Sequence, residues 1–448
     1  MGVLQRYNLL FTKFAQVPWI KELQPEGIGV LQLIIMKINV TAGNLGTLLN
    51  TETNINTLFT ITGKINGDDI ATIRSITNLS TLNLTDASIV EGGRFCNEQK
   101  EYTSITKDEI PDYMLSGFET ISSVSIPSTV KSIGKKAFSD CTGLIEITIP
   151  KSVTSIENSA FESCTRLASV TIPNGSIGRS AFLNCSGLTT LTIGRDVTSI
   201  GETAFLGCSG VTSLCIPDKV TIIGDQAFKD CAGIVSIHIS NSVTSIGDQT
   251  FRNCAALASV ALSNSVTSIG DQTFRGCTTL STITLPDSIL SICENAFMDC
   301  SELALIYLPS NLTSIEGWAF YDCPKLTDII IPSSVIFIGE ATFFGCSSLS
   351  LVTLPSGITS IEDNTFHGCT ALNAVILPDN LNNIGYHAFK DCSALTEIHC
   401  KALVPPSVTP GAFNGIDKKR CKLYTPKGVH EAYCHAAGWT DFSAVIEE

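Results

Sequence analysis

Cysteine and histidine are the side chains of this chain best equipped for chemistry. A thiolate is a nucleophile, and thiolates with imidazoles hold zinc. There are 18 cysteines and six histidines in 448 residues. Twelve of the cysteines, from Cys141 to Cys392, recur at one fixed spacing, that of Cys141 to Cys164, with a single shorter gap between Cys164 and Cys185. A phenylalanine precedes each by three positions, from Phe138 to Phe389. Metal ligands must converge on a point, and disulfide partners must present opposed Cβ atoms. A row at fixed period does neither, so the twelve read as small buried hydrophobes with reduced thiols.

A second group, His399, Cys400, Cys421, His430, Cys434 and His435, has ligand types suited to zinc, at spacings that match no zinc knuckle. Reduced thiols are the preferred reading there; a Cys400–Cys421 disulfide and a metal site are the open alternatives. Of the other histidines, His238 falls at an outward strand position, as does His399, and His367 and His387 fall at turns expected to be exposed. No G-x-S-x-G elbow, Walker loop or H-E-x-x-H helix occurs. No catalytic, cofactor-binding or metal-binding residue is assigned, and the chain does not read as an enzyme.

The elements that carry these residues follow from the period. Self-similarity at a period of roughly 20–50 residues is the signature of a repeat array, and a period in the lower half of that range fits a solenoid. In the unit from Ala137 to Ile156, Leu144, Ile147 and Ile149 are spaced as a strand whose alternate side chains enter a core. Pro150 ends that strand, because it cannot donate to the ladder. Val153 and Ile156 predict a second short strand facing inward, and residues 158–163 predict one helical or 3₁₀ turn. Ser240–Arg252 and Ser263–Arg275 are the same thirteen residues. The shorter gap lacks two residues around Pro173-Asn174-Gly175, which predicts a shortened turn over an unbroken core. The expected fold is a β-rich leucine-rich-repeat solenoid of about 12–13 coils of about 23 residues. It has a parallel sheet on one face, short strands and helical or 3₁₀ turns opposite, an α/β N-terminal cap and a small C-terminal cap. The boundaries read as a leader over 1–37, an N-terminal cap with longer units over 38–110, the solenoid over 111–398 and a C-terminal cap over 399–448.

A net charge of −14 disfavours nucleic acid and anionic membrane as partners. No apolar run reaches the roughly 20 residues of a membrane-spanning helix; the best is Gly27 to Met36. Arg6, Lys13 and Lys21 interrupt the N-terminal apolar stretches, so no secretory signal is read there. Partner binding must use side chains that point out of the sheet, the fifth and seventh after each ladder cysteine. In the N-terminal half these are small or hydroxylated, as at Ser169, Thr171 and Thr282, with Cys215 and His238 as exceptions. In the C-terminal half they include Leu305, Tyr307, Ile330, Leu351 and Ile376, a candidate partner-binding patch.

The unit L-x-x-I-x-I-P-x-S-V-T-S-I-G-x-x-A-F-x-x-C resembles the BspA-type, or Treponema pallidum-type, leucine-rich repeat over residues 111–398. Val40 to Leu45, Gly63 to Ile70 and Leu82 to Ala87 resemble the N-terminal cap of such proteins from gut Bacteroidetes. Leu423 to Gly428, Glu431 to Tyr433 and Gly438-Trp439 resemble their C-terminal end. The resemblance implies an exported or surface-attached bacterial protein without catalytic residues, and adhesion to host extracellular-matrix proteins or to other bacteria, as in some members. Two readings follow: a non-enzymatic adhesion module for a protein or glycan, or a structural scaffold that self-associates into a homodimer through the apolar patch.

Overall fold

Cross-coil pairing at a fixed residue offset organises the computed structural model. It describes residues 34–49, 57–96, 102–103 and 105–448; most of the leader read over 1–37 lies outside them. The chain divides into two compact units, Met1–Val197 and Thr198–Glu448, and both are built from the same coil.

In the first unit, Glu146–Thr148 pairs in parallel with Ser123–Ser125 on one side, and Glu146 pairs with Ser169 on the other, each one repeat away. Leu144, Ile147, Ile149, Val153 and Ile156 are buried, as the spacing predicts. Ser155–Ile156 forms the second strand, paired with Ser132–Ile133. Residues 158–163 differ from the predicted helical or 3₁₀ turn. They form hydrogen-bonded turns in which alternate amides leave the local backbone. In the preceding coil Phe138 and Asp140 donate to Ala160 and Glu162 of the next coil at 2.8 Å, while Ser139 and Cys141 bond back to Lys136 and Phe138. Lys136 and Asp140 take φ of 52° and 58° to permit this. A helix would send every amide along its own chain; here half of them join the coils instead.

The second unit repeats the plan. Ser213–Ile216, Ser236–Ile239 and Ser259–Ala261 run parallel, each in register with the strand one repeat on. Inside, the phenylalanine rings stack: Phe228 on Phe251 at 5.9 Å and Phe297 on Phe320 at 5.5 Å, nearly parallel. Each thiol lies beside this column. Cys300 Sγ donates to Phe274 O at 3.1 Å and Cys346 Sγ to Phe320 O at 3.2 Å. A thiol is small and apolar enough for the core, and it gives a second donor to a carbonyl that already accepts a backbone amide, as Phe274 O accepts from Cys277 N at 3.1 Å.

The shortened coil departs from the plan. Ser169–Ile177 is one nine-residue strand, and the full-length coil after it likewise carries one continuous strand, Thr190–Ile200, where the remaining coils of the solenoid have short strands separated by a turn. Gly175 lies within it at φ +85°, and a Cβ there would come 2.0 Å from Thr154 O. The phenylalanine stack continues past it, with Phe161 and Phe182 5.0 Å apart.

Ile34–Val40, Thr57–Ile65 and Leu79–Asn83 form a parallel run at the N-terminal end. The helix Gly67–Arg74 starts in a capping box of Asn66 and Asp69. The buried Asp69 carboxylate accepts from Gly43, Leu45 and Asn66 amides at 2.7–2.9 Å. Near the C-terminus, Lys422–Thr425 joins Glu397–Cys400 to Ala444–Glu447. The helix His430–His435 packs there through buried Tyr433, and buried Trp439 donates from Nε1 to Pro406 O at 2.9 Å.

Candidate binding surface

The register of the second unit turns the outward residues into two columns. Thr282, Leu305, Asp328, Leu351 and Ala374 stand side by side in one. Thr284 pairs with Tyr307, and Thr353 with Ile376, in the other. Four of the five predicted residues are open to solvent: Leu305 at 40%, Tyr307 at 58%, Ile330 at 86% and Leu351 at 46%. Ile330 is the most exposed because on this face its coil contributes only the bridge at Asp328 in place of a regular strand. Ile376 faces outward but is half-buried, because Thr353 and His399 flank it in register.

The second column runs on beyond what the sequence predicts. Ile376 pairs with His399, His399 with Tyr424, and Tyr424 with Ile446. The His399 and Tyr424 rings stack at 4.3 Å, and His399 Nδ1 lies 3.0 Å from a Glu448 carboxylate oxygen. On the second strand of the coil, Ile336 and Phe337 are also exposed. The signal for these two was readable: Ser-Val-Ile-Phe-Ile stands where Ser-Val-Thr-Ser-Ile recurs.

A further row lies on the turn side. Tyr321 stacks on Phe344 at 4.6 Å, and Phe344 meets the His367 ring edge-on at 4.5 Å. His387 stacks on Tyr386 at 3.6 Å. His367 and His387 are thus half-buried, against the expectation of exposed turns. Burial lowers the His367 imidazole pKa, with Lys390 adding to the effect, and Asp391, 3.4 Å from Nε2, opposes it.

The C-terminal cysteines and histidines are dispersed. Cys400 and Cys421 are buried free thiols. The Tyr433 hydroxyl donates to Ala402 O at 2.7 Å and lies 3.1 Å from Cys400 Sγ. Cys434 sits on the helix one turn after His430, 3.7 Å from its Nδ1. Among the described residues no three histidine, cysteine or carboxylate side chains converge as metal ligands would.

These coils define a leucine-rich-repeat solenoid. The BspA type leucine-rich repeat region matches in six copies, over 108–235, 221–350 and 314–423, and the chain belongs to that family. A leucine-rich repeat protein from Bacteroides ovatus is similar at 25% identity, over 82% of this chain and 87% of that one, with a TM-score of 0.63. A leucine-rich cell surface protein from Faecalibacterium prausnitzii is 24% identical over 82% and 90%, with a TM-score of 0.41. The leucine-rich repeat protein of T. pallidum is 22% identical over 57% and 87%, with a TM-score of 0.29. No curated protein matches the chain. The family is one of repeat scaffolds that generally bind proteins, not of enzymes. Among the described residues no helix is long and apolar enough to cross a membrane.

Proposed function

We propose that the protein is a binding module of the bacterial surface that captures a partner on the outward sheet face of residues 305–376. The solenoid over 111–398, closed by 38–110 and 399–448, is the scaffold. One observation carries this reading: Leu305, Tyr307, Ile330 and Leu351 stand exposed on adjacent coils in register, where other coils carry serine and threonine. Exposing such side chains has no folding benefit, and contiguous apolar patches mark interaction sites. Tyr307 adds an aromatic body with a polar tip, the usual form of an interface anchor.

The double substitution Tyr307→Ser with Ile330→Ser tests the reading. Both side chains are exposed, so the thermal midpoint should stay within about 2 °C, since surface changes cost little. Capture of immobilised extracellular-matrix proteins and glycans should fall at least about tenfold, the loss expected of an anchor. Antibody labelling of intact expressing cells before lysis should find the chain outside. Undiminished capture would remove this face from the reading, and labelling only after lysis would remove the location.

A further inference from the structure

Within the apolar patch stands one carboxylate. Asp328 is bridged in register to Leu305 on one side and Leu351 on the other, and Ile330 lies two positions further along its own coil. Asp328 is exposed, and no cation among the described residues pairs with it. The nearest lysine in sequence, Lys325, is tied to Glu302 at 2.5 Å. A partner that covers Leu305, Ile330 and Leu351 must also take the Asp328 carboxylate out of water. An unpaired carboxylate in such a place opposes binding strongly, whereas one that meets a cation does not. We infer that the partner presents an arginine or lysine flanked by aliphatic side chains on an extended protein segment, and that Asp328 receives the cation. The inference rests on the surface proposed above and names the chemistry of its occupant. The aliphatic stem of a lysine or arginine would lie along Leu305 and Leu351 while its head reaches the carboxylate.

A second copy of the chain fits this face poorly. The first column continues from Ala374 to Glu397 and Lys422. A two-fold axis along the Asp328 coil sets Asp328 against Asp328. A two-fold axis along the Ala374 strand sets Asp328 against Lys422, but then Leu351 meets Glu397. Either arrangement buries a mismatched carboxylate.

The test uses the full chain and short synthetic peptides of alternating valine and threonine, with arginine, lysine, glutamine or glutamate at the centre. Arginine and lysine peptides should bind at least about tenfold more tightly than the glutamate peptide at low salt, as a covered charge pair requires. Asp328→Asn should remove that preference while leaving the glutamine peptide bound. Binding indifferent to the central residue, or a preference that survives Asp328→Asn, would overturn the inference and leave the surface standing. Failure of every peptide, glutamine included, would overturn the surface itself. A dimer in sedimentation that Leu351→Ser dissolves would assign the face to a second copy and overturn the inference.

Discussion

One thiol per coil occupies a volume where a larger side chain would push the phenylalanine stack apart and a smaller one would leave a gap beside it. The ladder cysteines are wholly buried, and burial has a titration consequence. It pushes the Cys254, Cys300, Cys346 and Cys392 thiols up to about 12, against about 8.5 in an unfolded chain. Below the unfolded value both states hold the proton and the stabilisation is complete. Above it the unfolded chain releases protons that the folded chain keeps, so stability falls as pH rises toward 12. Each such thiol contributes at most about 1.4 kcal/mol per pH unit in that window, so four give at most about 5.6 kcal/mol per unit. The urea midpoint should hold steady from about pH 7 to 8 and drop steeply above about pH 9. Cys300→Ala should lower the starting stability and flatten the drop by about one thiol's share. Equal midpoints at about pH 8 and pH 10 would show that the thiols do not keep their protons in the folded coil.

At the scale of the element, the shortened coil shows which steric demands are absolute. Gly175 combines a left-handed φ with a Cβ position 2.0 Å from Thr154 O, and backbone cannot yield there. Gly175→Ala should cost about 3 kcal/mol or more, close to the largest single-site effects. Gly428, at φ +83° with nothing within 4 Å of its Cβ position, should cost only about 1 kcal/mol on the same change. Urea denaturation of the pair checks this, and equal losses would show that the contact with Thr154 is not the cause. Asn174-Gly175 reads from the sequence as a turn, and that reading misses the structure. The glycine conformation is used inside a continuous strand, and the full-length coil that follows, with Thr190–Ile200, has one too. The ordinary coils were legible because a fixed period decides inside from outside at every position; Leu305, Tyr307, Ile330 and Leu351 came from that alone. Tyr424 and Ile446 did not, since the steps from His399 to Tyr424 and from Tyr424 to Ile446 both depart from the repeat length. The Tyr321–Phe344–His367 row obeys the same period, each standing two residues before a ladder cysteine, but the reading of His367 as an exposed turn residue passes over it.

For the whole molecule, the register predicts what the chain can lose. Coils in such an array depend mainly on their neighbours, so a unit can be removed if the phase is kept. Ser240–Arg252 and Ser263–Arg275 are identical, and excision of residues 241–263 joins Ser240 to Asn264 and recreates the same passage. The coil lost is matched by its neighbours in register, with Ile237 paired to Val260 and the Phe251 ring stacked between Phe228 and Phe274. The shortened chain should fold, keep the Leu305–Ile376 face in register, and show a urea m-value lower by about 5%, in proportion to the surface removed. Excision of 241–252 alone takes out Val243, Ile246 and Phe251, all buried, and leaves a coil too short to carry both strands. That chain should lose the cooperative transition. Circular dichroism with urea titration separates the two outcomes. If the half-coil excision were tolerated as well as the whole one, phase would not be what specifies this fold, and the outward columns behind the proposed binding face would lose their basis.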